Sequence, residues 1–115
     1  MNGSMTPLQS IKLTSLCALL AAFNPAAARA DEAALALGKT IFLQQAEPQC
    51  AICHTLANAK SAGEVGPVLD ELKPNAERVA AAVTNGIGIM PAYEGLTKEQ
   101  VDAVALYVST VAGKP

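Results

Sequence analysis

The stretch Cys50-Ala51-Ile52-Cys53-His54 decides how the rest of the chain is interpreted. Two cysteines three positions apart, with a histidine directly after the second, form the attachment signature of c-type haem. Thiols one helical turn apart can reach two vinyl groups of a porphyrin and form thioethers, and the adjacent imidazole then lies under the iron. We therefore predict one covalent haem c, attached through Cys50 and Cys53, with His54 as a metal ligand.

Two other kinds of site share this pattern of cysteines. A structural zinc site needs four ligands, and because no Cys or His follows His54, only carboxylates could complete it. A thioredoxin-like redox pair lies beside a βαβ unit, whereas this chain has no run of alternating apolar and polar residues typical of a strand. Haem attachment is the interpretation that the sequence favours.

The first thirty residues have the features of a secretory signal peptide. Lys12 gives a short positive region, Leu13–Phe23 is an apolar run, and Ala28-Arg29-Ala30 supplies small residues for a signal peptidase. Leu16 precedes Cys17 where a lipoprotein signal would have a small residue, so we assign Cys17 to the apolar run. We predict a cleaved signal peptide over residues 1–30, and the alternative is a retained N-terminal helix.

The predicted mature chain, residues 31–115, has 85 residues and forms one domain with a thin core. Its six basic and ten acidic residues give a net charge of −4, and it has no basic patch, so a nucleic-acid partner is not expected. No stretch of 18 apolar residues is present, so we expect no membrane span. Export together with haem attachment predicts a periplasmic location.

Three helices are predicted from apolar periodicity and capping residues. The first covers Ala33–Gln45, and the second covers Ala76–Thr84 with Asn75 as its N-cap. The last begins with a capping box, Thr97-Lys98-Glu99-Gln100, and ends near residue 111. Residues 55–66 are polar and small, so we expect a loop there.

Met90 is the candidate for the second axial ligand. Met1 and Met5 lie in the predicted signal peptide, so Met90 is the only methionine of the mature chain. Pro91 favours an extended conformation for the residue before it, which would present the thioether from a fixed segment, and Gly88 permits close approach to a flat ligand. The alternative is that Met90 only fills a gap in the core.

Taken together, these features resemble the class I cytochromes c of small bacterial type. The matching elements cover most of residues 33–112: a helix with Gly38 and Phe42, Cys50-x-x-Cys53-His54, Gly66-Pro67-x-Leu69, Met90-Pro91-x-Tyr93, and a terminal helix with Leu106-Tyr107. The resemblance implies an all-α fold, with three to four short helices around one covalent haem.

The resemblance also implies roles for individual residues. The first and last helices should cross near Gly38, and the Pro67 carbonyl should accept a hydrogen bond from the His54 ring. Leu69 and Tyr93 should line the haem pocket. The ligands are only 36 positions apart and the chain has no tryptophan, so a minimal member with an exposed propionate edge is expected, and the propionate donors stay open.

The expected function is one-electron transfer by a protein that is not an enzyme, because His54 and Met90 together would fill both axial positions of the haem iron. The expected partners are redox proteins, with a periplasmic dehydrogenase, such as one oxidising sulfite, as donor and an oxidase or another cytochrome as acceptor. Two alternatives stay open. One is a haem enzyme or sensor with an open iron, although no distal histidine or arginine is evident. The other is a fixed haem subunit of a larger dehydrogenase.

Overall fold

The computed structural model describes residues 2–3 and 24–114. The described chain is mostly helical, which confirms the predicted all-α class. It contains five α-helices rather than three or four, because two of them are single turns that lack a detectable sequence period. The helices are α1 (Pro25–Thr40), α2 (Cys50–Cys53), α3 (Leu69–Leu72), α4 (Ala76–Asn85) and α5 (Lys98–Val111).

Helix α1 begins eight residues before its predicted start at Ala33. Asn24 caps it by accepting a hydrogen bond from the Ala26 N–H at 3.1 Å, and Pro25 occupies the first helical position. The helix continues as a π-helical segment over Ile41–Gln45, so its end agrees with the prediction. Residues 24–33 are all exposed. The apolar run and Cys17 of the predicted signal peptide lie outside the described residues.

Helices α1 and α5 cross closely at Gly38, as expected. A Cβ atom on Gly38 would lie 2.2 Å from the Ala103 carbonyl oxygen and 2.5 Å from the Tyr107 Cβ, so only glycine permits this distance. One turn further along, the rings of Phe42 and Tyr107 meet edge to face with centroids 6.1 Å apart. Phe42 and Ile41 are among the largest fully buried side chains, so this crossing forms the centre of the core.

The caps of α4 and α5 agree with the sequence prediction. The Asn75 side chain accepts from the Arg78 N–H at 2.8 Å, and α4 ends at Gly86. Thr97 and Gln100 form both hydrogen bonds of a capping box at the start of α5. Both helices are therefore fixed by local sequence, and their mutual packing places the segment between them beside the haem motif.

The predicted loop over residues 55–66 contains a small hairpin, which corrects the expectation of irregular structure. Strands β1 (Thr55–Leu56) and β2 (Ser61–Ala62) pair antiparallel, and a 3₁₀ turn over Ala57–Ala59 joins them. Strands of two residues have too few positions to show an alternating pattern, so sequence could not reveal them. The hairpin brings the chain back to the C-terminal end of the haem motif.

Candidate haem-binding site

The two cysteines lie on one helical turn, α2, as the attachment chemistry requires. The His54 N–H donates to the Cys50 carbonyl at 2.9 Å and closes this turn. Cys50 and Cys53 are free and partly buried, and burial raises the pKa of the Cys50 thiol to about 11. The Cys50 thiol is therefore neutral at pH 7, and both sulfur atoms are available for thioether bonds.

A glycine directly after the hairpin supports this turn. A Cβ atom on Gly63 would lie 2.5 Å from the Ile52 carbonyl oxygen and 2.6 Å from the His54 nitrogen. The sequence predicted only a loop over residues 55–66, so this close backbone contact was missed. The contact holds the end of α2 against the hairpin and thereby fixes the position of the His54 backbone.

The imidazole of His54 is held by the segment that follows the hairpin. Its Nδ1 lies 2.8 Å from the Pro67 carbonyl oxygen, the contact that the family resemblance implied. A carbonyl can only accept, so Nδ1 is the donor, and in the neutral imidazole this leaves the lone pair on Nε2. A Cβ atom on Gly66 would lie 2.5 Å from His54 Cε1, so the ring packs directly on that backbone. The imidazole is thus oriented as a metal ligand needs to be.

Met90 belongs to a tight backbone hairpin. Its N–H donates to the Ile87 carbonyl and its carbonyl accepts from the Ile87 N–H, both at 3.0 Å. Gly88, in the turn, has a φ of +57°, and a Cβ atom there would meet no atom within 4 Å. The positive φ of Gly88 therefore explains why glycine stands at this position. No neighbouring protein atom is close enough to exclude a side chain there. Met90 is partly buried and also packs against the core.

Tyr93 ties the methionine segment to two other parts of the molecule. Its N–H donates to the Val83 carbonyl of α4 at 2.9 Å, and its hydroxyl donates to the Pro48 carbonyl at 2.8 Å. Burial, together with the charges that Cys50 and Cys53 would carry as thiolates, raises the pKa of Tyr93 to about 12. The hydroxyl therefore keeps its proton and acts as a donor at ordinary pH.

These residues enclose one cleft of about 450 Å³ whose walls are mainly apolar. The predicted site residues Cys50, Cys53, His54, Pro67, Met90 and Tyr93 all line it. Leu69 does not border it and instead belongs to the buried core. Leu69 starts α3 and its side chain joins the core cluster, so its place in the haem pocket stays a prediction.

Helix α4 contributes a wall that sequence reasoning did not assign. Its lining residues follow the helical period and were detectable in principle: Arg78, Ala81, Ala82 and Asn85. Three further lining residues are large apolar side chains with 60–83% exposure: Val65, Ile87 and Ile89. Large apolar side chains around an apolar cleft, with one cation among them, fit a broad apolar group that carries carboxylates, as haem does.

The zinc and thioredoxin-like alternatives lack their structural context in the described part of the chain. No three side chains from His, Cys, Asp and Glu converge on a possible metal position within residues 24–114. The sheet in that range is a single antiparallel pair, whereas a thioredoxin-like motif accompanies a parallel βαβ unit.

Comparison with known proteins shows the family to which the chain belongs. Residues 33–108 match the family described as cytochrome c oxidase, cbb3-type, subunit III. Cytochrome c6 of Leptolyngbya boryana is 39% identical over an alignment of 70 residues, and the match covers 56% of this chain and 82% of that protein. The chain belongs to the class I cytochromes c.

The fold comparison agrees with this membership. The crystal structure of the c-type cytochrome SorU from Sinorhizobium meliloti superposes with a TM-score of 0.71 at 72% identity, covering 72% of this chain and 95% of SorU. This cytochrome c is accordingly an electron-transfer haem protein, and its family binds haem c covalently. Among the described residues, no helix has the length and apolar character needed to cross a membrane.

Proposed function

We propose that this cytochrome c carries one electron at a time on a single haem c, attached through Cys50 and Cys53, with His54 and Met90 as axial ligands. The observation that supports this proposal is that His54 and Met90, 36 positions apart in sequence, line one apolar cleft together with both thiols. Met90 as a gap-filling core residue would not by itself explain its place in the cleft wall.

Each wall of the cleft has a separate role in this proposal. Pro67 fixes the imidazole so that Nε2 is the ligand atom, and Tyr93 lines the side next to the cysteines. Arg78 is the only lysine or arginine among the described cleft-lining residues, and we propose that it pairs with a haem carboxylate. Bound haem c supplies the one-electron chemistry, and the apolar walls limit access of water to it.

The exchange surface that we propose is the uncharged edge around α2 and the methionine segment, formed by Ala51, Ile52, Pro91 and Ala92. Ile52 is 60% exposed, and Pro91 and Ala92 are exposed as well. A small uncharged surface suits a short-lived contact with a redox protein. We propose a periplasmic dehydrogenase as donor and an oxidase or another cytochrome as acceptor.

The periplasmic location rests on the predicted signal peptide. Ala28-Arg29-Ala30 lies in the exposed part of α1, before the first residues that are partly buried. Removal of residues 1–30 would therefore leave the described core contacts intact. An intact mass that corresponds to residues 31–115 plus one haem would support both the cleavage site and the single cofactor.

Met90→Ala provides the test of axial ligation. Loss of the thioether should abolish the weak near-infrared band that methionine gives in the oxidised protein, and the reduced variant should bind CO rapidly. A pyridine haemochrome spectrum of the same samples should report two thioether bonds in both proteins. Rapid CO binding by the reduced wild type, without that near-infrared band, would instead support a haem enzyme or sensor with an open iron.

The position of Arg78 is one observation that favours a haem enzyme. The sequence offered no evident distal arginine, but the structure brings Arg78 into the cleft lining, and distal cations assist peroxide chemistry in haem enzymes. Two results together would favour the enzyme over the electron carrier. The wild type would show peroxidase turnover that Arg78→Gln abolishes, and Met90→Ala would leave CO binding unchanged.

A further inference from the structure

Two tyrosine hydroxyls form hydrogen bonds across long stretches of the chain, and only one of them is at the cleft. Tyr93 donates to the Pro48 carbonyl at 2.8 Å, over 45 positions, and Tyr107 donates to Asn58 Oδ1 at 2.7 Å, over 49 positions. Both side chains are buried, at 9% and 2% exposure. Tyr93 lines the cleft with Met90, whereas Tyr107 lies at the α1–α5 crossing.

We propose that Tyr93 is a positioning residue that keeps Met90 bound as the axial ligand. Its hydroxyl ties the methionine segment, residues 86–93, to the chain that leads into the cysteine turn. The inference rests on the proposed function, because it requires Met90 to be a ligand.

The hydrogen bonds of the methionine segment support this role. The Ile87–Met90 hairpin bonds are internal, and the Gly86 and Tyr93 N–H groups donate to α4 at 2.8 and 2.9 Å. Among the described residues, the Tyr93 hydroxyl makes the one hydrogen bond from this segment to the part of the chain before α3. Without it, no hydrogen bond described in the structure joins the methionine wall to the cysteine wall.

Apart from Tyr93, whose ring is buried in the core, the side chains of this segment contribute little burial to hold it in place. Residues 87–89, 91 and 92 are exposed, with Ile87 at 68% and Ile89 at 83%, while Met90 itself is only partly buried. A segment with little buried apolar surface opens at low cost in free energy. Loss of one net hydrogen bond should therefore change the population of the opened segment noticeably.

The test uses exogenous imidazole, which binds the oxidised holoprotein only when Met90 has left its position. Apparent affinity scales with the fraction of molecules in which the segment is open. Tyr93→Phe should bind imidazole about five- to tenfold more tightly than wild type, and tenfold corresponds to about 1.4 kcal/mol. Amide hydrogen exchange at Met90 should also become faster in this variant.

Tyr107→Phe is the matched control, because it removes a hydroxyl of similar geometry and burial away from the cleft. It should lower the thermal stability about as much as Tyr93→Phe does. It should leave the imidazole affinity and the rate of amide hydrogen exchange at Met90 unchanged. Equal imidazole affinity in all three proteins, or equal tightening in both variants, would overturn the positioning role. Absence of the methionine near-infrared band in wild type would instead overturn the proposed axial ligation.

A second measurement applies even if Tyr93→Phe does not mature with haem. The chain has only two tyrosines, so in the Tyr107→Phe protein 3-fluorotyrosine replaces Tyr93 alone. Fluorination makes the phenol a stronger donor, so imidazole should bind more weakly than to Tyr107→Phe with ordinary tyrosine. Unchanged or tighter binding would contradict the inference.

Discussion

At the scale of single residues, the orientation of His54 depends on backbone groups rather than on other side chains. The Pro67 carbonyl accepts from Nδ1, and the Gly66 backbone leaves just enough room for the ring. Arg78 differs from this pattern, since its charged side chain borders an otherwise apolar wall. Arg78 is itself exposed, so water screens part of its charge.

Arg78→Gln should lower the reduction potential of the holoprotein. Reduction adds negative charge, so a nearby cation favours the reduced state, and its loss removes that preference. Lys114→Gln removes the same charge from an exposed position outside the cleft and should leave the potential nearly unchanged. Spectroelectrochemical titration of both variants measures the difference, and equal shifts would argue against a specific role for Arg78.

At the scale of elements, the α1–α5 crossing determines how closely the core can pack. Gly38 brings the α1 backbone against the Ala103 carbonyl, and the Phe42–Tyr107 ring pair fills the space next to it. Asp70 adds a connection between elements, because its carboxylate accepts from the Ala57 and Gly113 N–H groups at 2.8 and 2.9 Å. The terminal helices thus form a frame to which the haem-site segments are attached.

Gly38→Ala should destabilise the protein by about 1–3 kcal/mol, although alanine is the better helix former by about 1 kcal/mol. The added methyl group would overlap with Ala103 and Tyr107, so the two helices would have to separate. Gly95→Ala is the control, because a Cβ atom there meets no atom within 4 Å and stability should hardly change. Urea unfolding of the two holoproteins, followed by circular dichroism, compares these effects.

At the scale of the whole molecule, charge and apolar surface are distributed differently. Residues 31–115 carry a net charge of −4, while the proposed exchange surface has no charged residue. Long-range attraction would then come from the molecule as a whole, and the contact itself would be apolar. This division favours rapid encounter with a basic partner and rapid release.

Electron transfer with a basic redox protein should slow as ionic strength rises, and transfer with an acidic one should become faster. The Debye length falls from about 30 Å at 0.01 M salt to about 8 Å at 0.15 M, which screens the net charge. Stopped-flow rates over this range provide the measurement, and an uncharged small-molecule reductant is the control. Rates independent of salt with both proteins would rule out electrostatic steering.

The sequence by itself determined the helical class, the caps at Asn75 and Thr97, and the residues proposed to bind haem. These features depend on local patterns, namely helical periodicity, capping chemistry and the spacing of the two cysteines. The Pro67 contact with His54 came from family resemblance, which carries tertiary information from related chains.

Only the tertiary structure decided which residues form the cleft walls. It placed Leu69 in the core, brought Arg78 to the cleft, and joined Tyr93 to Pro48 across 45 positions. The reason is physical: a contact between distant segments depends on how elements pack, and no local pattern of residues encodes that distance. For Cys50-Ala51-Ile52-Cys53-His54, the sequence predicts haem attachment. The packing of the other elements determines which residues face this motif across the cleft.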